Sequence, residues 1–303
     1  MATRILVPLD GSPLAEQALG CAHALARGLP AELILFRAVW IPPDVRELLN
    51  ESAVELNAIL AQAKTEADEY LRGLKEQLGK RGLDVRSVVR EGPAAEAILE
   101  YATREKVDQI VMATHGYSGF KRWTHGSVAE RVLQATQVPL LLVRADERGV
   151  AQNWQQPAHC RRILAPLDGS PTAEQILPTL TPVVRAMGAN LTLFQVPIAY
   201  SSGAMTGELY LPLQGVLETA EAESRAYLGA VAGRLAAQGL DVTTATANGS
   251  VANCIIEYAE ANRVDLIAMC THGRTGLARW ALGSVADRIL RAGSTPILLV
   301  RAR

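Results

Sequence analysis

The chain contains one stretch of sequence twice. Residues 4–19 return as residues 162–177, and the two segments differ at only three of their sixteen positions. A second motif reads Thr-His-Gly, nine further residues, then Gly-Ser-Val-Ala, and it begins at Thr114 and again at Thr271. A repeat of this length corresponds to a whole domain rather than to a solenoid unit. The sequence therefore predicts two related domains, at 1–145 and 161–303, joined by a linker at 146–160.

Composition limits the classes of function that the chain can have. With 303 residues, 49% of them hydrophobic, it can bury two cores of ordinary size. The net charge of −1 and the lack of a basic block predict neither a nucleic-acid partner nor a membrane surface. We see no signal-peptide pattern and no apolar run long enough to span a bilayer. The four cysteines form no C-x-x-C pair, so we expect reduced thiols and a cytoplasmic protein.

Short apolar runs alternate with amphipathic segments in both copies, which is typical of an α/β domain. The predicted strands of the first copy are Ile5–Leu9, Glu32–Val39, Val85–Val89, Gln109–Ala113 and Pro139–Val143. Its predicted helices are Leu14–Arg27, Glu51–Lys80, Ala94–Lys106 and Ser127–Thr136. The strands of the second copy are predicted at Ile163–Leu167, Asn190–Val196, Val242–Thr246, Leu266–Cys270 and Ile297–Val300, with a long helix at Gln214–Gln238. Strands that are apolar on both faces indicate a parallel sheet covered by helices on both sides.

The segment after the fourth strand of each copy has the composition of an anion site. Gly126-Ser127 and Gly283-Ser284 open directly onto a predicted helix. Glycine lets backbone N–H groups approach a ligand, and a helix start offers unsatisfied N–H donors and the positive end of a dipole. Each serine can also cap its helix, and a simple N-cap is the alternative interpretation of the motif. Because the whole segment is repeated, we favour the phosphate site.

The turn after the first strand carries an aspartate in both copies, within Pro8–Ser12 and Pro166–Ser170. A carboxylate repels phosphate, so Asp10 and Asp168 suit the ribose hydroxyls or the adenine amine of a nucleotide. The alternative is that each aspartate caps the following helix. The chain has no G-x-G-x-x-G after its first strand and no G-x-x-x-x-G-K-[ST], which argues against NAD and against a P-loop NTPase.

With these motifs in both halves, nearly the whole chain resembles a tandem pair of universal stress protein domains. Members of that family that bind ATP carry G-x-x-G-x9-G-[ST] after the fourth strand. Both copies match it except at the first glycine, where Ala113 and Cys270 stand. The resemblance implies five parallel strands in the order 3-2-1-4-5 in each domain. It also implies ATP as the ligand, and we expect any Mg²⁺ to arrive with the nucleotide.

The resemblance assigns roles to matching residues in the two copies. Asp10 and Asp168 would hold the ribose. The backbones of Val39 and Val196 would contact adenine, with Met112 and Met269 beside it. The phosphates would lie against the remaining residues, Ala113, Gly116, Gly126, Ser127 and Val128 in the first copy and Cys270, Gly273, Gly283, Ser284 and Val285 in the second.

Catalysis has little support in the sequence. His115 and His272 recur, but a histidine in a glycine loop is more often a hydrogen-bonding strut than a base. No histidine–carboxylate relay accompanies the serines, and no cluster has metal-ligand spacing. The sequence offers no obvious base to position a water molecule for attack on ATP, so we expect at most slow hydrolysis. We therefore expect the protein to act as a sensor or regulatory module. The alternatives are a scaffold of the same fold that binds partners without nucleotide, and an ATP-consuming enzyme.

The last strand of each copy is an apolar edge strand, which would be prone to aggregation if it were exposed. In the universal stress protein family such edges pair across a dimer. The resemblance therefore implies that the two copies form a pseudo-dimer within one chain through these strands, and such chains could dimerise further.

Overall fold

A computed structural model describes residues 3–43, 45, 53–114, 127–144, 160–197, 213–272 and 282–302. The chain divides into two compact units, residues 1–159 and 160–303. The predicted linker lies outside the described residues, except for Cys160.

The N-terminal unit is built on a five-stranded parallel sheet. Its strands are β1 (Thr3–Pro8), β2 (Ala31–Val39), β3 (Asp84–Glu91), β4 (Gln109–Ala113) and β5 (Leu140–Val143). They lie in the order β3-β2-β1-β4-β5, and every neighbouring pair is parallel. The helices are α1 (Pro13–Glu16), α2 (Ala18–Gly28), α3 (Ala53–Gly79), α4 (Ala94–Arg104) and α5 (Ser127–Ala135). The predicted fold class and strand order are confirmed.

The C-terminal unit repeats this arrangement. Its strands are β6 (Arg162–Pro166), β7 (Asn190–Gln195), β8 (Asp241–Thr246), β9 (Leu266–Cys270) and β10 (Ile297–Val300). Within the unit they lie in the order β8-β7-β6-β9-β10 and are parallel. The helices are α6 (Pro171–Glu174), α7 (Ile176–Met187), α8 (Leu213–Ala236), α9 (Val251–Ala261) and α10 (Ser284–Ala292).

The central strand of each sheet forms the middle of the core. In β1, Ile5, Leu6 and Val7 are fully buried, although their side chains alternate between the two faces. In β6, Leu164 and Ala165 are equally buried. Burial of successive residues requires helices on both faces of the sheet, which is the reason for the unbroken apolar runs in the sequence.

The predicted helix Leu14–Arg27 is interrupted at Gln17, which separates α1 from α2. The N–H of Gln17 donates to the carbonyl of Leu14 at 3.3 Å, and this bond closes a tighter turn than that of an α-helix because it spans three residues rather than four. The same break recurs at Gln175, whose N–H donates to the carbonyl of Thr172 at 3.2 Å. Periodicity could not reveal the break, because the apolar spacing continues through it.

Candidate functional site

The turn after the first strand of each unit is held by the aspartate and a glycine. Gly11 and Gly169 have φ of +89° and +82°, a backbone conformation that residues other than glycine rarely adopt. The Oδ1 atom of Asp10 accepts a hydrogen bond from the N–H of Ser12 at 2.9 Å. The Oδ1 atom of Asp168 accepts from the N–H of Ser170 at 2.9 Å and from its hydroxyl at 2.6 Å. One carboxylate oxygen of each aspartate therefore fixes the turn at the end of the strand.

The helix caps in this turn are serines, not aspartates. The Oγ atom of Ser12 accepts from the N–H of Ala15 at 3.1 Å, and the Oγ atom of Ser170 accepts from the N–H of Ala173 at 3.1 Å. The interpretation of Asp10 and Asp168 as N-caps is therefore wrong. Ser12 and Ser170 occupy the N-cap positions of α1 and α6, two residues after the aspartates. The aspartates are left at the carboxyl ends of β1 and β6.

A repeated pair of side chains lies beneath these turns. The hydroxyl of Tyr70 on α3 donates to Glu16 at 2.9 Å, and that of Tyr227 on α8 donates to Glu174 at 3.0 Å. Burial raises the pKa of both tyrosines, and the neighbouring glutamates raise it further, so both hydroxyls stay protonated. The sequence analysis missed this pair, although the matching tyrosines and glutamates in the two copies were a signal that could have found it.

The N-terminus of α10 lies in close contact with the end of β9. The N–H of Gly283 donates to the carbonyl oxygen of Thr271 at 2.9 Å. A Cβ atom on Gly283 would lie 2.7 Å from that same oxygen, closer than two such atoms can approach. The glycine is therefore required for the close contact between β9 and α10.

Gly283, rather than Ser284, is the N-cap of α10. The helix begins at Ser284, so the prediction that this serine caps the helix is wrong for the C-terminal unit. The first intrahelical bond runs from the N–H of Asp287 to the carbonyl of Gly283 at 2.9 Å. The three preceding amides, at 284–286, cannot reach a carbonyl of their own helix. A glycine cap offers them no side-chain acceptor, so they can serve a ligand.

These elements enclose a pocket of about 270 Å³ in the C-terminal unit. It lies at the carboxyl ends of β6, β7 and β9, where the strand order reverses, which is the usual ligand position in an open α/β sheet. The predicted site residues Asp168, Val196, Met269, Cys270, Gly283, Ser284 and Val285 all line it. The remaining prediction in this unit, Gly273, lies outside the described residues.

The apolar wall of the pocket was not predicted from the sequence. It consists of Phe194 on β7 together with Val251 and Ile255 on α9. The ring of Phe194 lies 4.8 Å from the ring of Tyr258, centroid to centroid, which holds it against α9. Phe194 and Ile255 have counterparts in the first copy, Phe36 and Ile98, but apolar residues at strand and helix positions look the same in a core as in a pocket.

The thiol of Cys270 is neutral and packed. The residue is 4% exposed, and its Sγ atom lies 3.7 Å from the carbonyl oxygen of Ala173 on α6. Burial raises the pKa of the thiol to about 12, so it is no nucleophile at neutral pH. Its bulk is accommodated against α6, although the residue also forms part of the pocket wall.

The two ring nitrogens of His272 differ in their contacts. Its Nδ1 atom lies 3.1 Å from the hydroxyl oxygen of Thr271, consistent with the predicted strut. Its Nε2 atom is buried and has no hydrogen-bond partner among the described residues. The side chain forms part of the pocket wall beside Gly283. The other predicted histidine, His115, lies outside the described residues.

The N-terminal unit places its matching residues at the ends of the corresponding elements. Asp10 is exposed at the end of β1, and Met112 and Ala113 are buried at the end of β4. Ser127 and Val128 begin α5. Gly116 and Gly126 lie outside the described residues.

Val39 does not correspond to Val196, which is a correction to the sequence analysis. The strand registers pair Pro8 with Phe36 and Pro166 with Phe194, so the counterpart of Val196 is Ala38. Successive residues of a strand face opposite sides, and Val39 packs under α3 against Leu60 and Ala67. Its carbonyl accepts a hydrogen bond from the N–H of Gly92 at 3.1 Å.

Within the described part of the chain, no group of three or more histidine, cysteine, aspartate or glutamate side chains could hold a metal ion. No helix in that part has both the length and the apolar character needed to cross a membrane.

Comparison with known proteins gives a consistent result for both units. The profile of the universal stress protein family matches residues 1–144 and 159–301. A universal stress protein of Methanocaldococcus jannaschii is 34% identical over 145 residues, which is 48% of this chain and 84% of the relative. A universal stress protein of Mycolicibacterium smegmatis is 26% identical over 229 residues, 73% of this chain and 70% of the relative.

A solved structure shares the fold over the full length of the chain. The crystal structure of a universal stress protein from Archaeoglobus fulgidus matches with a TM-score of 0.73, covering 98% of each chain at 18% sequence identity. At that identity the likeness concerns the fold alone.

Proposed function

The chain belongs to the universal stress protein family as a tandem of two family domains, and on that premise we propose that it is a stress-response protein that binds adenine nucleotide. The nucleotide is ATP, and the protein acts as a sensor or regulatory module. A cytoplasmic location is part of the proposal, from the cysteine pattern of the sequence. The proposed domain boundaries are 1–145 and 161–303.

One observation carries the proposal. The Asp168 turn, the end of β9 and the start of α10 line a single pocket at the switch point of the C-terminal sheet. The carboxylate of Asp168 would accept hydrogen bonds from the ribose hydroxyls. The helix start would bind phosphate through the amides of 284–286 and the hydroxyl of Ser284.

The pocket wall suits adenine at its other end. Phe194, Val251 and Ile255 form an apolar surface, with the backbone of Val196 and the side chain of Met269 beside it. Ligand pockets are usually about 300–1,000 Å³. A volume of about 270 Å³ therefore suits the nucleoside part of the ligand, with the phosphates extending over the start of α10.

Hydrolysis would be slow on this account. The described pocket wall contains one carboxylate, Asp168, and one imidazole, that of His272. Asp168 is committed to its turn through Oδ1. A rapid ATPase needs a group that orients water beside the terminal phosphate, and His272 is the single described candidate at the phosphate end of the wall.

We propose an equivalent site in the N-terminal unit, with Ala38 in place of Val39 beside adenine. Asp10 would hold the ribose there, with Met112 beside the base. The phosphates would lie against the remaining residues, Ala113, Gly116, Gly126, Ser127 and Val128. Any Mg²⁺ would be bound through the phosphates of the nucleotide.

Asp168→Asn is the direct test. Asparagine keeps a carbonyl oxygen for the Ser170 N–H and so preserves the turn, but it loses the charge that strengthens hydrogen bonds to ribose. We expect the affinity of the C-terminal site for Mg-ATP to fall about tenfold, as measured by calorimetric titration. The matched control is Asp241→Asn, which changes an exposed aspartate at the start of β8.

The outcomes separate the proposal from its alternative. Unchanged affinity in Asp168→Asn would contradict the assignment of this pocket. If the unaltered chain bound no nucleotide at either site, the scaffold that binds partners without nucleotide would remain.

A further inference from the structure

A second pocket lies at the β3 edge of the N-terminal sheet, and none of its lining residues belongs to the candidate nucleotide site. Its volume is about 580 Å³. It runs along the edge strand β3, between α3 and α4. We call it the edge pocket, and it is lined by Lys64, Asp68, Arg86, Ser87, Val88, Val89, Arg90, Glu91, Tyr101 and Glu105.

Tyr101 brings a buried hydroxyl to this pocket. The residue is 2% exposed, and its ring lies 5.2 Å from that of Phe36, centroid to centroid. Its hydroxyl oxygen has no hydrogen-bond partner among the described residues. An unsatisfied buried hydroxyl is unfavourable, so a partner from outside the described chain would be favoured. Burial raises the pKa of Tyr101, so the hydroxyl remains protonated and can donate.

Arginines surround this ring. The Cζ atoms of Arg90 and Arg104 lie 5.6 and 5.7 Å from the ring centroid of Tyr101. Arg86 forms ion pairs with Glu32 at 3.0 Å and with Glu105 at 3.9 Å. Two guanidinium groups therefore lie close to the ring that carries this hydroxyl.

The carboxylates near the pocket leave Arg90 available. Glu91 pairs with Lys64 at 2.8 Å, and Glu105 pairs with Arg86 and Arg104. Asp68 is exposed on α3. Arg90 donates to the neighbouring carbonyl of Val89 at 3.0 Å, but no carboxylate of the described chain lies within 4.0 Å of it. Arg90 can therefore provide charge to a ligand.

The C-terminal unit offers an internal comparison. It keeps the aromatic pair as Phe194 and Tyr258, 4.8 Å apart. The strand register and helix positions place Thr243, Ala247 and Ala261 where the N-terminal unit has its three arginines. The fold therefore does not require the arginines, and the charged surroundings belong to one unit only.

We propose that the edge pocket binds a phosphate group, with the Tyr101 hydroxyl and the Arg90 guanidinium as its donors. Arg86 and Arg104 lie nearby, and both are already paired with glutamates. A guanidinium and a hydroxyl donor match the acceptor oxygens of an oxyanion such as phosphate. The site is independent of the proposed nucleotide pocket, so either can fail without the other.

The test uses the full chain, with NMR signals from labelled tyrosine ring carbons and arginine side-chain nitrogens. Inorganic phosphate is titrated at constant ionic strength maintained with sodium chloride. Spectra of Tyr101→Phe and Arg90→Gln assign the two signals by their disappearance. Saturable shifts of both signals are expected in the unaltered protein, with affinity reduced about tenfold in each variant.

The matched control is Tyr258→Phe, which removes the equivalent hydroxyl from the unit that lacks the arginines. It should leave phosphate affinity at the edge pocket unchanged. Without phosphate, Tyr101→Phe should be at least as stable as the unaltered protein, because it removes an unsatisfied buried hydroxyl. Absence of saturable shifts at Tyr101 and Arg90, or an equal loss of affinity in Tyr258→Phe, would overturn the proposal.

Discussion

At the scale of single residues, the two aspartates illustrate what a repeated motif can and cannot predict. Their recurrence after the first strand indicated a role beyond packing, and Asp168 does line the pocket. The hydrogen bonds that these aspartates form were not predictable, because either the aspartate or the serine of such a turn can cap the helix that follows. The structure gives the cap to Ser12 and Ser170, with the aspartates holding the turn.

The departure from the family motif at Cys270 leads to a prediction about pH. Burial raises the pKa of this thiol from 9.0 to about 12 in the folded protein. Above pH 9 the unfolded chain loses this proton while the folded chain keeps it, so the stabilisation present below pH 9 is lost as pH rises towards 12. The loss approaches about 1.4 kcal/mol per pH unit.

Cys270→Ala removes this contribution and introduces the residue that the other copy has at the matching position, Ala113. Urea unfolding between pH 7 and 11 should show a shallower fall in the free energy of unfolding for the variant than for the unaltered chain. Parallel curves would show that the thiol is not buried in the way described.

At the scale of elements, the prediction of strands was nearly complete and that of contacts was partial. Gln109–Ala113 and Leu266–Cys270 were predicted to the residue, because they are short apolar runs bounded by polar positions. The pairing of Val39 with Val196 was off by one position in the strand register, which in a strand reverses the face. The apolar pocket wall was missed, since its residues do not differ in kind from core residues.

The contact between β9 and the start of α10 gives a prediction at this scale. Gly283→Ala would place a Cβ atom 2.7 Å from the carbonyl oxygen of Thr271, so helix and strand must separate. We expect the free energy of unfolding to fall by about 1–3 kcal/mol. Nucleotide affinity at the C-terminal site should fall as well, because the first-turn amides move away from the pocket.

Gly233→Ala in α8 is the matched control, since nothing lies within 4 Å of the added Cβ atom. It should stabilise the protein by up to about 1 kcal/mol, as alanine is favoured over glycine inside a helix. Unfolding by urea and titration with Mg-ATP check both variants. A Gly283→Ala protein with unaltered stability and affinity would refute the close contact.

At the scale of the whole molecule, the two-domain organisation was predictable because both the segment around the first strand and the glycine-serine motif after the fourth strand occur twice in the sequence. The pairing of the two units through β5 and β10 is still a proposal, and it has a direct test. In an unpaired edge strand, alternate N–H groups point away from the sheet and exchange rapidly. If the strands pair, every amide at 140–143 and 297–300 should be protected in hydrogen exchange.

The outer edge strand β3 is the internal reference for this experiment, and its amides should show the alternating pattern. Alternating exchange in β5 and β10 as well would argue against the pseudo-dimer. Sedimentation of the same sample would show whether such chains also form homodimers.

The central claim is that the chain binds adenine nucleotide, and the most direct measurement is to denature the purified protein and identify what it releases. Chromatography of the supernatant, with the amount expressed per chain, gives both the identity and the stoichiometry. The account predicts that ATP is released. Two molecules per chain are expected if both sites bind it, and one if Cys270 lowers the affinity of the C-terminal site for ATP. No released nucleotide, together with no binding of added Mg-ATP, would contradict it.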